Sequence, residues 1–388
     1  MSEKYGVGKF LSKPTAAYQL LIASTIALTF IGIVMVFSAS SILSLDTKGN
    51  SFGIVGRQLI FLCLAIPCAF IASRQSLSRW RLVSRYGFIG SLILMLLLLI
   101  PGVGKTVNGN RNWIHLGIID IQPSEIAKFL LILWASSTLA KSQLSGRSKS
   151  NALALLSPVF GVIILLIMLG RDLGTSVVFV CIFAGLLWVS GVSLGIFAFF
   201  TTAFAGALTF FILTANYRAA RFLVVLNPFS PENYKNAGWQ PAHSILGLAS
   251  GGFFGVGLGA SRQKWGNLAE AHTDFIFSVI GEELGLFGTL GVLGLFAALI
   301  FSIFSIALRT GDAMSRYACV AVGCWLSAQV ILNIGSATSL LPVVGVTLPL
   351  ISYGGSSLIS VYLALGFVLG VARREPAVMS HLSQKKKK

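Results

Sequence analysis

Ionisable side chains are few in this sequence and fall in clusters. Glu125 and Lys128 lie three residues apart, Asp172 stands between two apolar runs, and Asp274, Glu282 and Glu283 open another. Three-residue spacing puts Glu125 and Lys128 on one helix face, where a structural ion pair and a substrate contact are both accommodated. Glu282 lies eight residues beyond Asp274, which on a helix is roughly 80° round and about 12 Å deeper. Glu283 points away from Asp274. The two glutamates are therefore expected as packing partners or modulators of a neighbour's pKa. Asp274 is the acid at the mouth, in reach of water and of lipid-borne groups.

The connections expected on the outer side of the apolar runs carry Arg57, Lys105, Arg111, Arg171, Arg218, Arg221, Lys235, Arg262 and Lys264. Arg218 and Arg221 are three apart, and Arg262 and Lys264 two apart just before Asp274. Guanidinium forks bind phosphate oxygens bidentately, so such groupings suit a pyrophosphate. An acid with cations around it in a membrane-embedded site points to a polyprenyl-pyrophosphate substrate. His272 is placed to tune or orient Asp274, although a lone histidine at a helix start also serves as a cap or loop residue.

The elements that must position these residues are membrane spans. The 388 residues are 55% hydrophobic and 11% charged, with a mean hydropathy of +0.85. Soluble proteins carry about 25% charged residues, so this composition excludes a soluble enzyme and a disordered chain. A helix needs about 20 apolar residues to cross a ~30 Å hydrocarbon core. Such runs fall near 18–40, 54–72, 83–100, 122–140, 152–169, 174–190, 193–213, 273–308, 316–338 and 353–371. The expected fold is an all-α polytopic membrane protein of ten transmembrane helices, one domain over 1–388. The eighth run exceeds a span and is expected to tilt or project.

An even number of crossings puts both termini on one side. With the termini cytoplasmic, the inner segments collect most of the 29 lysines and arginines, from Lys4, Lys9 and Lys13 through Arg74, Arg79, Arg81 and Arg85 to Lys385–Lys388, against only Glu3, Asp312 and Glu375. That is the positive-inside pattern. Residues 1–17 and 372–388 are then cytoplasmic tails, the second a basic anchor for anionic lipid rather than a nucleic-acid arm. Residues 214–272 form a large extracytoplasmic loop between helices 7 and 8, long enough to be functional. Its Trp239, Phe253, Phe254 and Trp265, with the glycine-rich apolar stretch at 246–260, imply partly helical structure on or in the outer leaflet.

Several patterns are decoys. Gly102-Val103-Gly104-Lys105-Thr106 lacks a phosphate loop's first glycine, since Leu99 stands there, and reads as a turn. Gly255-Val256-Gly257-Leu258-Gly259-Ala260 has the letters of a dinucleotide fingerprint without a βαβ context and reads as close backbone packing. Gly281, Gly285, Gly288, Gly291 and Gly294 read as a helix-packing stripe. The five cysteines sit in apolar runs without metal-site spacing and read as small hydrophobes.

Seven blocks carry a resemblance. Asn110-Arg111-Asn112-Trp113-Ile114, Gln122-Pro123-Ser124-Glu125-Ile126-Ala127-Lys128, Asp172-Leu173-Gly174-Thr175, Asn227-Pro228, Ala271-His272-Thr273-Asp274-Phe275-Ile276-Phe277, Gly281-Glu282-Glu283-Leu284-Gly285 and Ile351-Ser352-Tyr353-Gly354-Gly355-Ser356-Ser357 resemble, in order, the SEDS family (shape, elongation, division and sporulation). The wording at Gly281–Glu283 and Ser261–Lys264 looks more like the division branch, FtsW, than the elongation branch, RodA. The sequence departs from the family at Arg171, where proline is usual, at His243, where glutamine is usual after Gln240, and at Val344, where some division members have lysine.

The resemblance implies a peptidoglycan glycosyltransferase of the bacterial cytoplasmic membrane that polymerises lipid II on its outer side, at the division septum. It implies a class B penicillin-binding protein transpeptidase and other divisome membrane proteins as partners. Asp274 takes the family's catalytic position, Glu125 and Lys128 its pocket ion pair, and Asp172 its second acid, with glycan contacts near Gln240. An alcohol nucleophile needs a base within hydrogen-bond reach, whereas pyrophosphate leaves without a second carboxyl to protonate it. Asp274 is thus expected as general base, with Arg218, Arg221, Arg262, Lys264 or a divalent cation (Mg²⁺ or Mn²⁺) stabilising undecaprenyl pyrophosphate as it departs. A lipid II flippase is the rival from another class, and alternating access would favour acids at the midplane.

Overall fold

The computed structural model describes residues 15–100, 102–107, 110–115, 117, 120–145, 149–213, 222 and 224–380. Long helices cover the apolar runs: α1 (Ala16–Lys48), α2 (Gly53–Arg74), α3 (Leu77–Leu97), α4 (Pro123–Leu144), α5 (Lys149–Leu169), α6 (Leu173–Ser190) and α7 (Leu194–Leu213). A shorter α8 (Trp239–Ser250) lies within the long connection, followed by α9 (Ile276–Arg309), α10 (Ala313–Ala337) and α11 (Gly355–Ala372). Among the described residues, seven helices (α1, α2, α3, α6, α9, α10 and α11) are long and apolar enough to cross a membrane. The protein is a multi-pass membrane protein.

α4 is the hub of the bundle, packing against α3, α5, α6, α10 and α11. Its Phe129 meets Trp80 of α3 and Phe367 of α11 edge to face, with centroids 5.7 and 6.0 Å away, and Trp80 and Phe367 close the triangle at 5.2 Å. α11 lies tightly along α2 because Gly366 and Gly370, four apart, have no Cβ. A methyl group on either would come within 2.4 Å of the Ala69 carbonyl oxygen or 2.9 Å of that of Ser73. Small residues at this spacing let membrane helices approach closely.

The all-α expectation is corrected by a small antiparallel sheet, β1 (Gly104–Val107), β2 (Asn110–His115) and β3 (Asp120–Ile121), in that order. Asn108-Gly109 between β1 and β2 is a strong hairpin signal; those two positions lie outside the described residues. His115 and Lys105 both reach Asp120, at 2.6 and 3.1 Å. The hydrogen bond with His115 is the main reason the Asp120 carboxyl sits below its usual range.

α9 deviates most from the sequence reading. A straight helix of its 34 residues would run about 51 Å, but it breaks at Gly285, where φ is 67° and ψ −162°, a region essentially closed to other residues. The break frees backbone groups, and the glycine-rich 251–257 segment takes them up. Val256 and Gly257 donate to the carbonyls of Glu282 and Glu283 at 2.9 and 3.1 Å, while Leu286 and Phe287 donate to those of Gly252 and Phe253 at 2.9 and 3.2 Å. Unpaired polar backbone is costly away from water, so this exchange makes the kink tenable. The packing-stripe reading of the α9 glycines holds only in part: a methyl group on Gly281 would meet Leu248 of α8, whereas Gly285 is the break and Gly291 and Gly294 face open space.

Candidate active site

One end of the bundle gathers the acids singled out in the sequence. Asp172 caps α6, accepting the Thr175 N–H at 2.9 Å. β2 delivers Asn112 to the same carboxylate, and the start of α4 delivers Gln122, their amides donating to Asp172 Oδ2 at 2.9 and 3.3 Å. Burial pushes the Asp172 carboxyl up, against the opposing hydrogen bond from Thr175. One turn along α4, Lys128 Nζ pairs with Glu125 Oε1 at 2.7 Å, both side chains buried, and Lys128 lies 4.9 Å from the centre of the Trp325 ring. Glu125 Oε2 is buried and has no hydrogen-bond partner among the described residues. The Gln122 N–H donates to Ser356 Oγ at 3.0 Å, which fixes the start of α11 to this cluster.

Asp274 is partly exposed and is fixed through its backbone by the strap between α10 and α11. Asn333 of α10 donates to the carbonyls of Asp274 and Val346, each at 2.8 Å. Ser352 Oγ donates to the Thr273 carbonyl at 2.5 Å, and the Tyr353 N–H to that of His272 at 2.9 Å. The carboxylate itself faces the strap: a methyl group on Gly345, whose φ is +71°, would stand 3.6 Å from Asp274 Oδ2. The other side of the strap touches α6, where a methyl group on Gly174 would meet the Val344 carbonyl. Residues 344–346 thus lie between the Asp172 end of α6 and Asp274.

His272 packs its ring 5.6 Å from that of Tyr353. Burial is the main reason its imidazole titrates below the usual histidine range. Lys48 acts on His272, and Arg57 on both Lys48 and Tyr353, so two exposed cations flank the Asp274 segment. In the sequence Arg57 is one of the basic residues of this end with no role attached, and Lys48 belongs to no motif or grouping. Asn333 likewise belongs to no motif block; its signal is an amide within a membrane-spanning helix, shared with Gln329.

The other expected site residues separate into two groups. Glu282 receives the Ser261 hydroxyl at 2.5 Å and the Arg262 N–H at 2.9 Å. Glu283 accepts the Ser38 hydroxyl, which lies 2.7 Å from each carboxylate oxygen, and forms a buried pair with Lys264 at 3.1 Å. Lys264 is further bound to the Gly259 carbonyl at 2.6 Å, so it anchors the loop and does not face solvent beside Arg262, which is exposed. Arg111 donates to the Ile100 carbonyl at 2.7 Å and closes the base of the sheet. Gln240 is half-buried one turn before His243, which is buried between Tyr234 Oη at 3.2 Å and Gln263 Oε1 at 3.0 Å, its ring 4.1 Å from Trp239. Arg218 and Arg221 lie outside the described residues. Among the described residues, no three His, Cys, Asp or Glu side chains gather as a metal-ligand set.

Residues 18–376 match the family of cell cycle proteins that comprises FtsW, RodA and SpoVE. The chain belongs to this family. It is the SEDS family that the seven sequence blocks resemble. A probable peptidoglycan glycosyltransferase FtsW of Coxiella burnetii is 39% identical over 91% of this chain and 95% of its own length. The stage V sporulation protein E of Bacillus subtilis is 36% identical over 93% of this chain and 98% of its own. The fold is like that of the rod shape determining protein RodA of Thermus thermophilus, with a TM-score of 0.68 and 28% identity over 91% of this chain and 95% of that one. A chain of a peptidoglycan synthase complex that coordinates polymerization and crosslinking gives 0.73, also at 28% identity, over 91% and 96%.

Against this SEDS background the departures acquire physical content. Arg171 adopts a φ of 64°, which proline, fixed near −65°, cannot take; the turn into Asp172 is therefore built differently from one with the proline usual in the family. His243 faces the interior of its loop. Val344 contributes its backbone, packed on Gly174.

Proposed function

We propose that this SEDS protein is a peptidoglycan glycosyltransferase that polymerises lipid II on the outer side of the cytoplasmic membrane during septal wall synthesis. The observation that carries the proposal is the placement of Asp274: a partly exposed carboxylate, its backbone pinned by Asn333, at the end of the bundle that also holds the buried Asp172, Glu125 and Lys128. Both termini are then cytoplasmic, as the distribution of basic residues favours.

In the reaction, a sugar hydroxyl of lipid II attacks the anomeric carbon of a glycan chain carried on undecaprenyl pyrophosphate. Asp274 accepts the hydroxyl proton as the new C–O bond forms. The bond from the anomeric carbon to the phosphate oxygen breaks, its electron pair leaves on the diphosphate, and inversion gives a β-linkage. Arg57, Lys48 and Arg262 are the exposed cations suited to the departing charge; Lys264, tied to Glu283, is assigned instead to holding the loop. The unpartnered Glu125 Oε2 and the Asp172 cluster line the substrate side, where they receive hydroxyl or amide donors. The side chains described do not form a Mg²⁺ or Mn²⁺ set by themselves, and each step is assigned to the chain's own residues. The synthase complex among the structural relatives supports a penicillin-binding protein transpeptidase as partner.

The test is reconstitution of the full chain with labelled lipid II, with and without a class B transpeptidase. The wild type makes glycan polymer, and Asp274→Asn, folded and membrane-inserted, makes none. Polymerisation by Asp274→Asn at the wild-type rate removes Asp274 from the mechanism, and translocation of lipid II without polymer replaces the proposal with transport.

A further inference from the structure

At the opposite end of the bundle, α3, the last turns of α4, the connection from α9 to α10 and the start of α10 line a half-open cavity of about 630 Å³. Its ionisable lining is Arg81, Lys141, Asp312 and Arg316. The one acid is already satisfied. Asp312 Oδ1 receives Arg81 Nη2 at 2.8 Å, and Oδ2 receives the Ser315 N–H and hydroxyl at 2.8 and 2.7 Å.

Two of the three cations, Arg316 and Lys141, are not. Arg316 donates from Nη2 to the Thr310 carbonyl at 3.1 Å, while its Nε is buried without an acceptor among the described residues. Lys141 is exposed and pairs with no described carboxylate. A buried guanidinium N–H without a partner is costly and calls for an acceptor. Three cations against one neutralised acid leave the cavity positive. Leu144 and Met314 add apolar side chains to the lining.

We propose that this cavity is a binding site for a phosphate-bearing anion, held by Arg316 and Lys141 with Arg81 as a further contact. Guanidinium and ammonium groups recognise phosphate oxygens directly. Basic pockets between helices at the cytoplasmic face of membrane proteins are suited to anionic lipid headgroups. The phosphate of an anionic phospholipid and a free phosphate present the same chemistry. The site is remote from Asp274 and independent of the activity proposed there.

The test uses the full-length protein and reads its thermal unfolding in two arms. One arm uses phosphatidylcholine vesicles with increasing phosphatidylglycerol, and the other uses detergent micelles with increasing inorganic phosphate. The wild type is stabilised in at least one arm, and Lys141→Gln and Arg316→Gln each raise the half-saturating amount about tenfold, the scale of one lost charged contact. Arg79→Gln/Arg85→Gln, which removes two cations from the same end outside the cavity, leaves it unchanged. Stabilisation by phosphatidylglycerol alone identifies a lipid headgroup, and stabilisation by inorganic phosphate identifies a soluble anion as sufficient. No stabilisation in either arm, an unchanged midpoint in Lys141→Gln, or an equal loss in the Arg79/Arg85 variant overturns the site. Lys141 has no ion-pair partner among the described residues, so its variant remains informative where Arg316→Gln fails to fold.

Discussion

Asn333 donates its side-chain amide to two carbonyls at once, those of Asp274 and Val346, each 2.8 Å away. One buried side chain in α10 therefore fixes both the acid proposed as base and the strap its carboxylate faces. Position is a large part of such a base's effect, since a displacement of about 1 Å costs on the order of 100-fold in rate.

Asn333→Leu removes both donors, at about 1–3 kcal/mol for each carbonyl that loses this hydrogen bond. The expected outcome in the lipid II polymerisation assay is a fall in kcat of about tenfold or more, with KM little changed. A raised KM at wild-type kcat would instead detach Asn333 from the base.

Lys264 and Glu283 form a pair whose side chains are 3% and 0% exposed. Removing one member of such a pair costs about 3–5 kcal/mol, because the other charge stays buried without its partner. Lys264→Met is expected to lose that much in thermal unfolding of the purified protein, and Lys264→Met/Glu283→Gln to recover a substantial part. Strict additivity in the double-mutant cycle argues that the two side chains do not interact.

Gly285 sits where only glycine is comfortable, and a methyl group there would lie 2.3 Å from the Gly255 backbone nitrogen. Gly285→Ala is expected to cost about 3 kcal/mol or more through strain and displacement of the 251–257 segment. Gly291→Ala, with nothing within 4 Å, is the control. Membrane yield and unfolding temperature measure both, and equal behaviour of the two variants contradicts the kink as described.

Asp312 gives a pH prediction. Burial pushes its carboxyl up, but the Ser315 hydrogen bonds and Arg81 together outweigh burial and set it below the usual range. A folded-state pKa below the unfolded one means that the stabilisation is complete above the unfolded value, about 3.9. It is lost as pH falls from there through the folded value. The stability gap between wild type and Asp312→Asn should be constant near neutral pH and shrink below about pH 4. A gap that widens on acidification reverses the assigned sign.

The long helices were legible because hydropathy accumulates over a local window: an apolar run of span length has few alternatives to a helix in lipid. The acids were legible because charge is scarce in such a chain, and the order of the motif blocks carried the family. The partners of those acids were not. Glu283 meets Ser38 and Lys264 only because α9 breaks at Gly285 and the 251–264 segment folds back onto the break. Asn333 reaches Asp274 only because the strap after α10 returns past both.

The sequence by itself therefore determined a membrane-embedded helical chain of the SEDS family, since composition and short motifs depend on near neighbours along the chain. Tertiary structure alone decided the kink in α9, the docking of Asn112 on Asp172, and the division of Arg262 from Lys264 into an exposed and a buried cation. Each depends on which distant backbone comes within hydrogen-bond range, about 3 Å, and no local window of residues encodes that distance.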